Sequence, residues 1–129
     1  MNEPKTYGLT HIAISVKSLD RTFDFYRKVF DVEEMYRSET FLQVTTPGAN
    51  DIIVFEKKEA DYGRTGGIIH FGFRLKTPDD IEDMAERIRI AGGIITDKGE
   101  FCPGEPYLFC KDPDGYEVEV WYEKIAASG

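Results

Sequence analysis

The two histidines of this chain occupy matching positions in two similar segments. His11 lies in GLTHIAISVKSLDRTFD, residues 8–24, and His70 lies in GIIHFGFRLKTPDDIED, residues 67–83. The two segments are 59 residues apart and share five identities in seventeen positions. Imidazole is a common metal ligand, but two histidines alone make a poor metal site. A metal site here therefore requires a further ligand, such as a carboxylate.

Candidate carboxylates lie near the end of the chain, in YEVEVWYE, residues 116–123. Alternation predicts a strand with Val118 and Val120 on one face and Glu117 and Glu119 on the other. Two carboxylates on one face of a strand are unusual for a core. They indicate that this face is a solvated surface that holds a ligand.

Each histidine belongs to a predicted strand that begins one half of the chain. In LTHIAISV, residues 9–16, alternation separates His11 from the apolar face that carries Ile12. The second copy separates His70 from Ile69 and Phe71 in the same way. Both histidines are therefore predicted to lie on the less apolar face of their strand.

A helix is predicted to follow in each half. Ser18 and Thr77 are N-cap residues whose side chains are expected to accept a hydrogen bond from a free backbone N–H. Pro78 suits the first position of the second helix, and Gly92 and Gly93 are expected to end it. These helices are expected to cover the apolar sheet face.

Three short strands are predicted to complete each half. They span 32–37, 40–46 and 51–57 in the first half, and 94–98, 106–110 and 116–123 in the second. TPGAN and DPDG supply the turns before the last strands. The sequence therefore predicts an α+β fold in which two tandem βαβββ units, at about 8–57 and 67–123, form a cupped mixed sheet with the helices on its outer face. We expect one domain over residues 1–129.

Composition sets the size of the core and argues against some partners. A chain of 129 residues with 41% hydrophobic residues can build the core of one ordinary domain. The net charge of -8 argues against nucleic acid, because phosphate binding requires clustered Lys and Arg. No apolar run approaches the roughly twenty residues of a membrane helix, and the start lacks the apolar core of a secretory signal, so we expect no membrane partner and a cytoplasmic protein. Cys102 and Cys110 are expected to be free thiols in or near the core.

Three features of the chain resemble the vicinal oxygen chelate superfamily. They are the repeated βαβββ pattern, HIAISVKSLDRTFDFYRKVF at residues 11–30, and KDPDGYEVEVW at residues 111–121. This superfamily includes glyoxalase I, extradiol dioxygenases, fosfomycin-resistance proteins, methylmalonyl-CoA epimerase and bleomycin-resistance proteins. The resemblance covers roughly residues 8–123 and implies one divalent metal ion per site, either Fe, Mn, Ni or Zn. Its ligand positions correspond here to His11, His70 and Glu119, a facial triad with open coordination positions.

The resemblance also raises the question of a fourth ligand on the last strand of the first half. Alignment of NDIIVFE with GYEVEVW sets Val54 against Glu119, and valine cannot coordinate a metal. Glu56 lies two residues further on the same predicted face, and a shift or bulge of the strand would bring it into the site. The valine favours a three-ligand site and weakens a strict glyoxalase I assignment.

Catalytic and pocket residues are predicted on the same strands. Glu56 and Glu117 are candidate bases, with solvated rim carboxylates as the alternative interpretation, and Tyr107 lies on the penultimate strand, where the resemblance implies contact with substrate. We expect a small substrate with adjacent oxygen atoms and either glyoxalase-like lyase or isomerase chemistry or extradiol dioxygenase chemistry. The alternative is a metal-free small-molecule-binding protein of the bleomycin-resistance type. The resemblance also implies a homodimer in which each metal is held by halves of two subunits.

Overall fold

The computed structural model describes residues 3–124 and confirms two tandem βαβββ units. The first unit extends to Tyr62, and the second begins at Gly63. Each unit contains a four-stranded mixed sheet and an α-helix. The repeat predicted from the two histidine segments is therefore a structural repeat.

The first unit has the strand order β1-β4-β3-β2. β1 is parallel to β4, and the other neighbouring strands are antiparallel. In this register Val54 lies opposite Ala13 on one side and opposite Gln43 on the other. The elements are β1 Ile12–Val16, α1 Leu19–Phe30, β2 Glu33–Arg37, β3 Phe41–Thr45 and β4 Ile53–Lys57.

The second unit repeats this topology with the strand order β5-β8-β7-β6. β5 is parallel to β8, and Glu119 lies opposite Gly72 on one side and opposite Phe109 on the other. The elements are β5 Phe71–Arg74, a 3₁₀ turn at Pro78–Asp80, α2 Ile81–Ile90, β6 Ile94–Cys102, β7 Glu105–Lys111 and β8 Glu117–Trp121.

Helix α1 begins and ends at residues that suit those positions. The Arg21 backbone N–H donates to Ser18 Oγ at 3.2 Å, as predicted for this N-cap. Asp31 ends the helix in the left-handed conformation, with φ 56°. Tyr26 is fully buried, and its ring lies 5.1 Å from the ring of Phe55 on β4. The helix therefore covers the apolar face of the first sheet.

Helix α2 begins later than predicted, and Thr77 does not cap it as expected. The Thr77 hydroxyl donates to Asp80 Oδ2 at 3.0 Å, and no backbone N–H donates to the Thr77 side chain. Pro78 does occupy the first turn, but this turn is 3₁₀, and the α-helix starts at Ile81. The helix ends as predicted, where the Gly93 N–H donates to the Ile88 carbonyl at 2.8 Å.

The apolar face of β8 is fully buried. Val118 and Val120 have no exposed surface, as the alternation of β8 predicts. Glu117 and Glu119, on the other face of the strand, remain partly exposed. The predicted faces of the last strand are therefore confirmed.

Several strand limits differ from the prediction. β1 begins at Ile12 rather than near residue 9, so that His11, like His70, lies just before its strand and not within it. β5 begins at Phe71, and Ile69, which was predicted to face the helix, is 68% exposed. β6 continues to Cys102 rather than ending near residue 98, and this long hairpin leaves the Cys102 thiol exposed while Cys110 is buried.

Within residues 3–124, no helix has the length and apolar character needed to cross a membrane.

Candidate functional site

The second unit brings together two of the predicted metal ligands. His70 Nε2 lies 3.8 Å from Glu119 Oε1, and the two side chains are 37% and 15% exposed. This distance is too long for an N–H···O hydrogen bond. It is shorter than twice a metal–ligand distance of about 2.0–2.2 Å. Neighbouring ligand atoms of one ion at these bond lengths lie about 2.9–3.5 Å apart, so a closer approach of roughly half an ångström would let both atoms bind one divalent ion.

Strand order explains why these two side chains meet. His70 immediately precedes the first residue of β5, and Glu119 lies on the neighbouring strand β8. Phe109 flanks Glu119 on the other side, from β7. The rings of Phe109 and His70 meet edge to face, with centroids 5.0 Å apart. The imidazole is therefore held between an aromatic ring and a carboxylate.

The first unit places His11 in the equivalent position. His11 immediately precedes β1, as His70 precedes β5. Its Nδ1 atom and Thr10 Oγ1 lie 2.9 Å apart and form a hydrogen bond. When Nδ1 donates its N–H to Thr10 Oγ1, the ring is oriented and Nε2 carries the lone pair that a metal requires. The local geometry of His11 thus suits coordination through Nε2.

His11 lines a cavity of about 450 Å³ within the first unit. Glu56, Val54 and Gln43 line the same cavity, so this cavity is shared by the predicted base Glu56 and the predicted ligand His11. Glu56 Oε1 lies 3.7 Å from Lys58 Nζ.

The register identifies Val54 as the structural equivalent of Glu119. Val54 lies opposite Ala13 in the first unit, and Glu119 lies opposite Gly72 in the second. The pairing of β4 with β1 and β3 runs without a shift, so no bulge moves Glu56 into the position of Val54. The last strand of the first unit therefore presents an apolar side chain where the second unit presents a carboxylate.

Tyr107 is held in place by a residue that sequence patterns missed. Its hydroxyl donates to Asp97 Oδ2 at 3.1 Å. This hydrogen bond raises the pKa of Tyr107, with further contributions from desolvation and from the negative charges of Asp97 and Glu119. A bulge between Ile95 and Asp97 changes the alternation of β6 and sets Asp97 opposite Phe109. Simple alternation contains no signal for this bulge.

Aromatic rings cover the sheet beside Tyr107. Phe101 stacks on Tyr107, with ring centroids 4.0 Å apart, and meets Trp121 edge to face at 5.5 Å. Tyr107 meets Phe109 edge to face at 5.7 Å. Within the described residues, the buried Trp121 Nε1 has no hydrogen-bond partner. The surroundings of Glu119 are therefore apolar on the β7 side.

The other predicted base, Glu117, lies two residues before Glu119 on the same face of β8. It is partly exposed and pairs across the strands with Lys111 of β7. Opposite charges at facing positions of a sheet attract each other. The structure thus places Glu117 on the site face, beside a cation.

The structure pairs His70 with Glu119 in the second unit and places His11 in the first. Among residues 3–124, no group of three or more His, Cys, Asp or Glu side chains is arranged to hold a metal ion. The donor pair His70 and Glu119 nevertheless has the chemistry that Fe(II), Mn, Ni and Zn accept, because these ions bind imidazole and carboxylate together.

Comparison with known proteins identifies the family. The sequence model of the Glyoxalase/Bleomycin resistance protein/Dioxygenase superfamily matches residues 8–120. This region includes both histidine segments and most of β8. The chain belongs to this superfamily, and the resemblance based on the sequence motifs is confirmed.

Individual relatives in this superfamily have different activities. A probable lactoylglutathione lyase of Vibrio cholerae is 29% identical, with 95% of this chain and 96% of the relative covered. A probable trivalent organoarsenical cleaving enzyme of Bacillus subtilis is 27% identical, with 88% and 79% covered. Among solved structures, a mutant fosfomycin resistance protein of Listeria monocytogenes, in complex with Mn(II) and 1S,2S-dihydroxypropylphosphonic acid, is 24% identical, with 89% of each chain covered and a TM-score of 0.74. The last similarity shows a shared fold.

Proposed function

We propose that this member of the superfamily is a divalent-metal-dependent enzyme that acts on a small substrate with adjacent oxygen atoms. The observation that carries the proposal is the separation of 3.8 Å between His70 Nε2 and Glu119 Oε1 on one sheet face. We propose His11 as the third ligand because it occupies the same position in the sequence repeat and because Thr10 leaves its Nε2 atom available. The metal is Fe, Mn, Ni or Zn.

The protein side chains would orient the ligands and the substrate. Thr10 fixes the ring of His11, and Phe109 limits rotation of the His70 ring through their edge-to-face contact. A divalent ion bound there supplies Lewis-acid chemistry to neighbouring substrate oxygens. Adjacent oxygens are also present in the dihydroxy compound that is in complex, together with Mn(II), with the fosfomycin resistance protein.

Tyr107 is the residue that we propose to contact the substrate. Its raised pKa keeps the phenol protonated at neutral pH, so that the hydroxyl can accept a hydrogen bond from the substrate while it donates to Asp97. Glu56 and Glu117 remain the candidate bases. Glu56 Oε1 lies 3.7 Å from Lys58 Nζ, and Glu117 lies opposite Lys111 across the strands.

We propose lyase or isomerase chemistry ahead of ring-cleaving oxygenation. The name of the probable lactoylglutathione lyase describes bond cleavage or its reversal and supports this order. We also propose that the chain acts as a homodimer, in which halves of two subunits hold each metal. In such a dimer, His11 of one subunit would bind the metal together with His70 and Glu119 of the other subunit.

Elemental analysis of protein purified without a histidine tag or chelator tests the metal proposal. The wild type should contain about one divalent ion per chain, and Glu119→Gln should remove it because an amide oxygen carries no charge to offset that of the metal. Glu33→Gln is the matched control, because Glu33 is an exposed carboxylate on β2 and its neutralisation should leave the metal in place. Equal metal content in the wild type and in Glu119→Gln would refute the assignment of Glu119.

The same protein separates the possible activities. Manganese, nickel or zinc with no oxygen uptake would support lyase or isomerase chemistry, whereas iron with oxygen consumption on a catechol would support the dioxygenase reaction. A wild type that stays empty after incubation with Fe(II), Mn(II), Ni(II) and Zn(II) would refute the enzyme proposal. The chain would then be better described as a metal-free small-molecule-binding protein.

A further inference from the structure

We infer that Gly72 is a positioning residue for Glu119, and that the missing side chain at position 72 gives the carboxylate the space it needs to face His70. This inference rests on the proposed function, because Glu119 is the proposed metal ligand. Gly72 lies directly opposite Glu119 across the parallel pair β5 and β8. It also lies two residues after His70, so it is close to both proposed ligands of the second unit.

The distances show how little space the site leaves. A Cβ atom built on Gly72 would lie 3.1 Å from Glu119 Cβ and 3.4 Å from Glu119 Oε1. It would also lie 3.0 Å from the Glu119 backbone oxygen. Contacts of 3.0–3.4 Å are tighter than nearly all real Cβ contacts, so that Glu119 would have to move by a few tenths of an ångström.

Backbone conformation does not explain this glycine. Several glycines of the chain have positive φ values, such as Gly92 at 89° and Gly115 at 99°, but Gly72 is not among them. Within a strand, glycine weakens packing and often marks a close approach of another group. The group that approaches Gly72 is Glu119, whose Oε1 atom is the one that faces His70.

The first unit provides a comparison within the same chain. Its equivalent pair is Ala13 and Val54, in which the first strand carries a methyl group and the last strand carries no carboxylate. In the second unit, glycine lies opposite the carboxylate of Glu119. Both units have the same sheet topology, so the fold alone does not require a glycine at this position. The glycine is found only in the unit whose last strand carries the proposed ligand.

The test compares Gly72→Ala with the wild type in a competitive titration of Zn(II) or Ni(II) against a chromophoric chelator. Ligands must be held within about half an ångström of their productive positions, and changes around metal ligands typically weaken binding 10–100-fold. We expect Gly72→Ala to bind the metal about tenfold more weakly. The contacts at 3.0 and 3.1 Å involve the backbone oxygen and the Cβ atom of Glu119, so the melting temperature of the metal-free variant is expected to fall, and metal affinity is measured well below that temperature.

Gly92→Ala is the matched control for a general loss of stability. Gly92 follows α2 with a φ of 89°, and a Cβ atom there would meet nothing within 4 Å. This variant should melt at a lower temperature than the wild type and bind metal with unchanged affinity. The two substitutions thus separate a positioning effect from a structural one.

Each result has a distinct meaning. Wild-type affinity in Gly72→Ala would overturn the inference while leaving the proposed function intact, and a wild type that binds no metal would instead overturn the proposed function. If Gly72→Ala folds poorly, the metal-free double variant Gly72→Ala/Glu119→Gly, compared with Glu119→Gly alone, decides the contact. Removal of the Glu119 Cβ and carboxylate should make Gly72→Ala cost less melting temperature than it does in the wild type, and an equal cost in both backgrounds would refute steric contact with the Glu119 side chain.

Discussion

Substitution of Gly63 by alanine should disrupt the turn that sets β8 in place. A Cβ atom on Gly63 would lie 2.1 Å from the backbone oxygen of Asp114, in the DPDG turn that precedes β8. The turn is rigid, because Asp112 is buried and its Oδ1 atom accepts hydrogen bonds from the backbone N–H groups of Asp114, Gly115 and Tyr116, each at 3.0 Å. The carbonyl oxygen therefore cannot move away without the loss of these bonds.

The expected loss of stability has two sources. Gly63 has a φ of 75°, and a left-handed alanine costs about 1–2 kcal/mol. Real Cβ atoms essentially never approach closer than 3.0 Å, so the contact at 2.1 Å requires a movement of about 1 Å. Overpacking of this kind typically costs about 1–3 kcal/mol. Gly63→Ala should therefore lower the free energy of unfolding by about 2–5 kcal/mol.

Gly115→Ala isolates the conformational part of this cost. Gly115 belongs to the same turn and has a φ of 99°, but a Cβ atom there would meet nothing within 4 Å. Its substitution should cost about 1–2 kcal/mol. Urea denaturation followed by the fluorescence of Trp121 on β8, the single tryptophan of the chain, measures both variants in the unit concerned. An unfolding midpoint of Gly63→Ala no lower than that of Gly115→Ala would refute the steric argument.

Two further predictions concern titrating side chains of the second unit. Burial raises the pKa of Cys110 to about 12, with smaller contributions from Asp112 and Glu117, so only about 10⁻⁴ of this thiol is ionised at pH 8. Ellman's reagent should therefore react with the exposed Cys102 in the native protein and with both thiols in urea, and rapid reaction of two native thiols would contradict the burial of Cys110. The hydrogen bond to Asp97 raises the pKa of Tyr107 in the folded protein. This bond therefore stabilises the folded state at pH values below about 10, the pKa of tyrosine in the unfolded chain. The stabilisation is lost as the pH rises through the higher pKa of Tyr107 in the folded state. The stability difference between the wild type and Tyr107→Phe should shrink at alkaline pH, and a difference that grows there would show that the sign is wrong.

Alternation and the internal repeat predicted the elements that carry the proposed ligands. The histidines were predicted within the first strand of their unit, and they lie immediately before it. The buried face of β8 is the predicted one, which carries Val118 and Val120. Strand periodicity is a strong signal when one face is buried against a helix. The equivalence of Val54 and Glu119 was also predicted, because the turns before β4 and β8 fix the alignment of these two strands.

Features that depend on competition between local groups could not be predicted in this way. The start of α2 depends on whether the Thr77 hydroxyl bonds a backbone N–H or the Asp80 carboxylate, and both choices suit the same sequence. The partner of Tyr107 depends on a bulge in β6, which reverses the facing of Asp97 without any change in composition. Gly72 did carry a signal, because a glycine within a strand pattern indicates close approach of another group.

The difference between the two units has a consequence for the proposed chemistry. If the last strand of each unit supplied a carboxylate, a shared site would have four protein ligands, but Val54 removes one of them. A divalent ion with six octahedral positions and three protein ligands keeps three positions open. Two adjacent substrate oxygens fill two of these, which leaves one position for a further small ligand. We therefore expect Val54→Glu alone to reduce catalysis rather than improve it, since a second carboxylate, as a fourth protein ligand, would compete with the substrate for the open positions. Steady-state kinetics of this variant would show the effect as a lower kcat/KM.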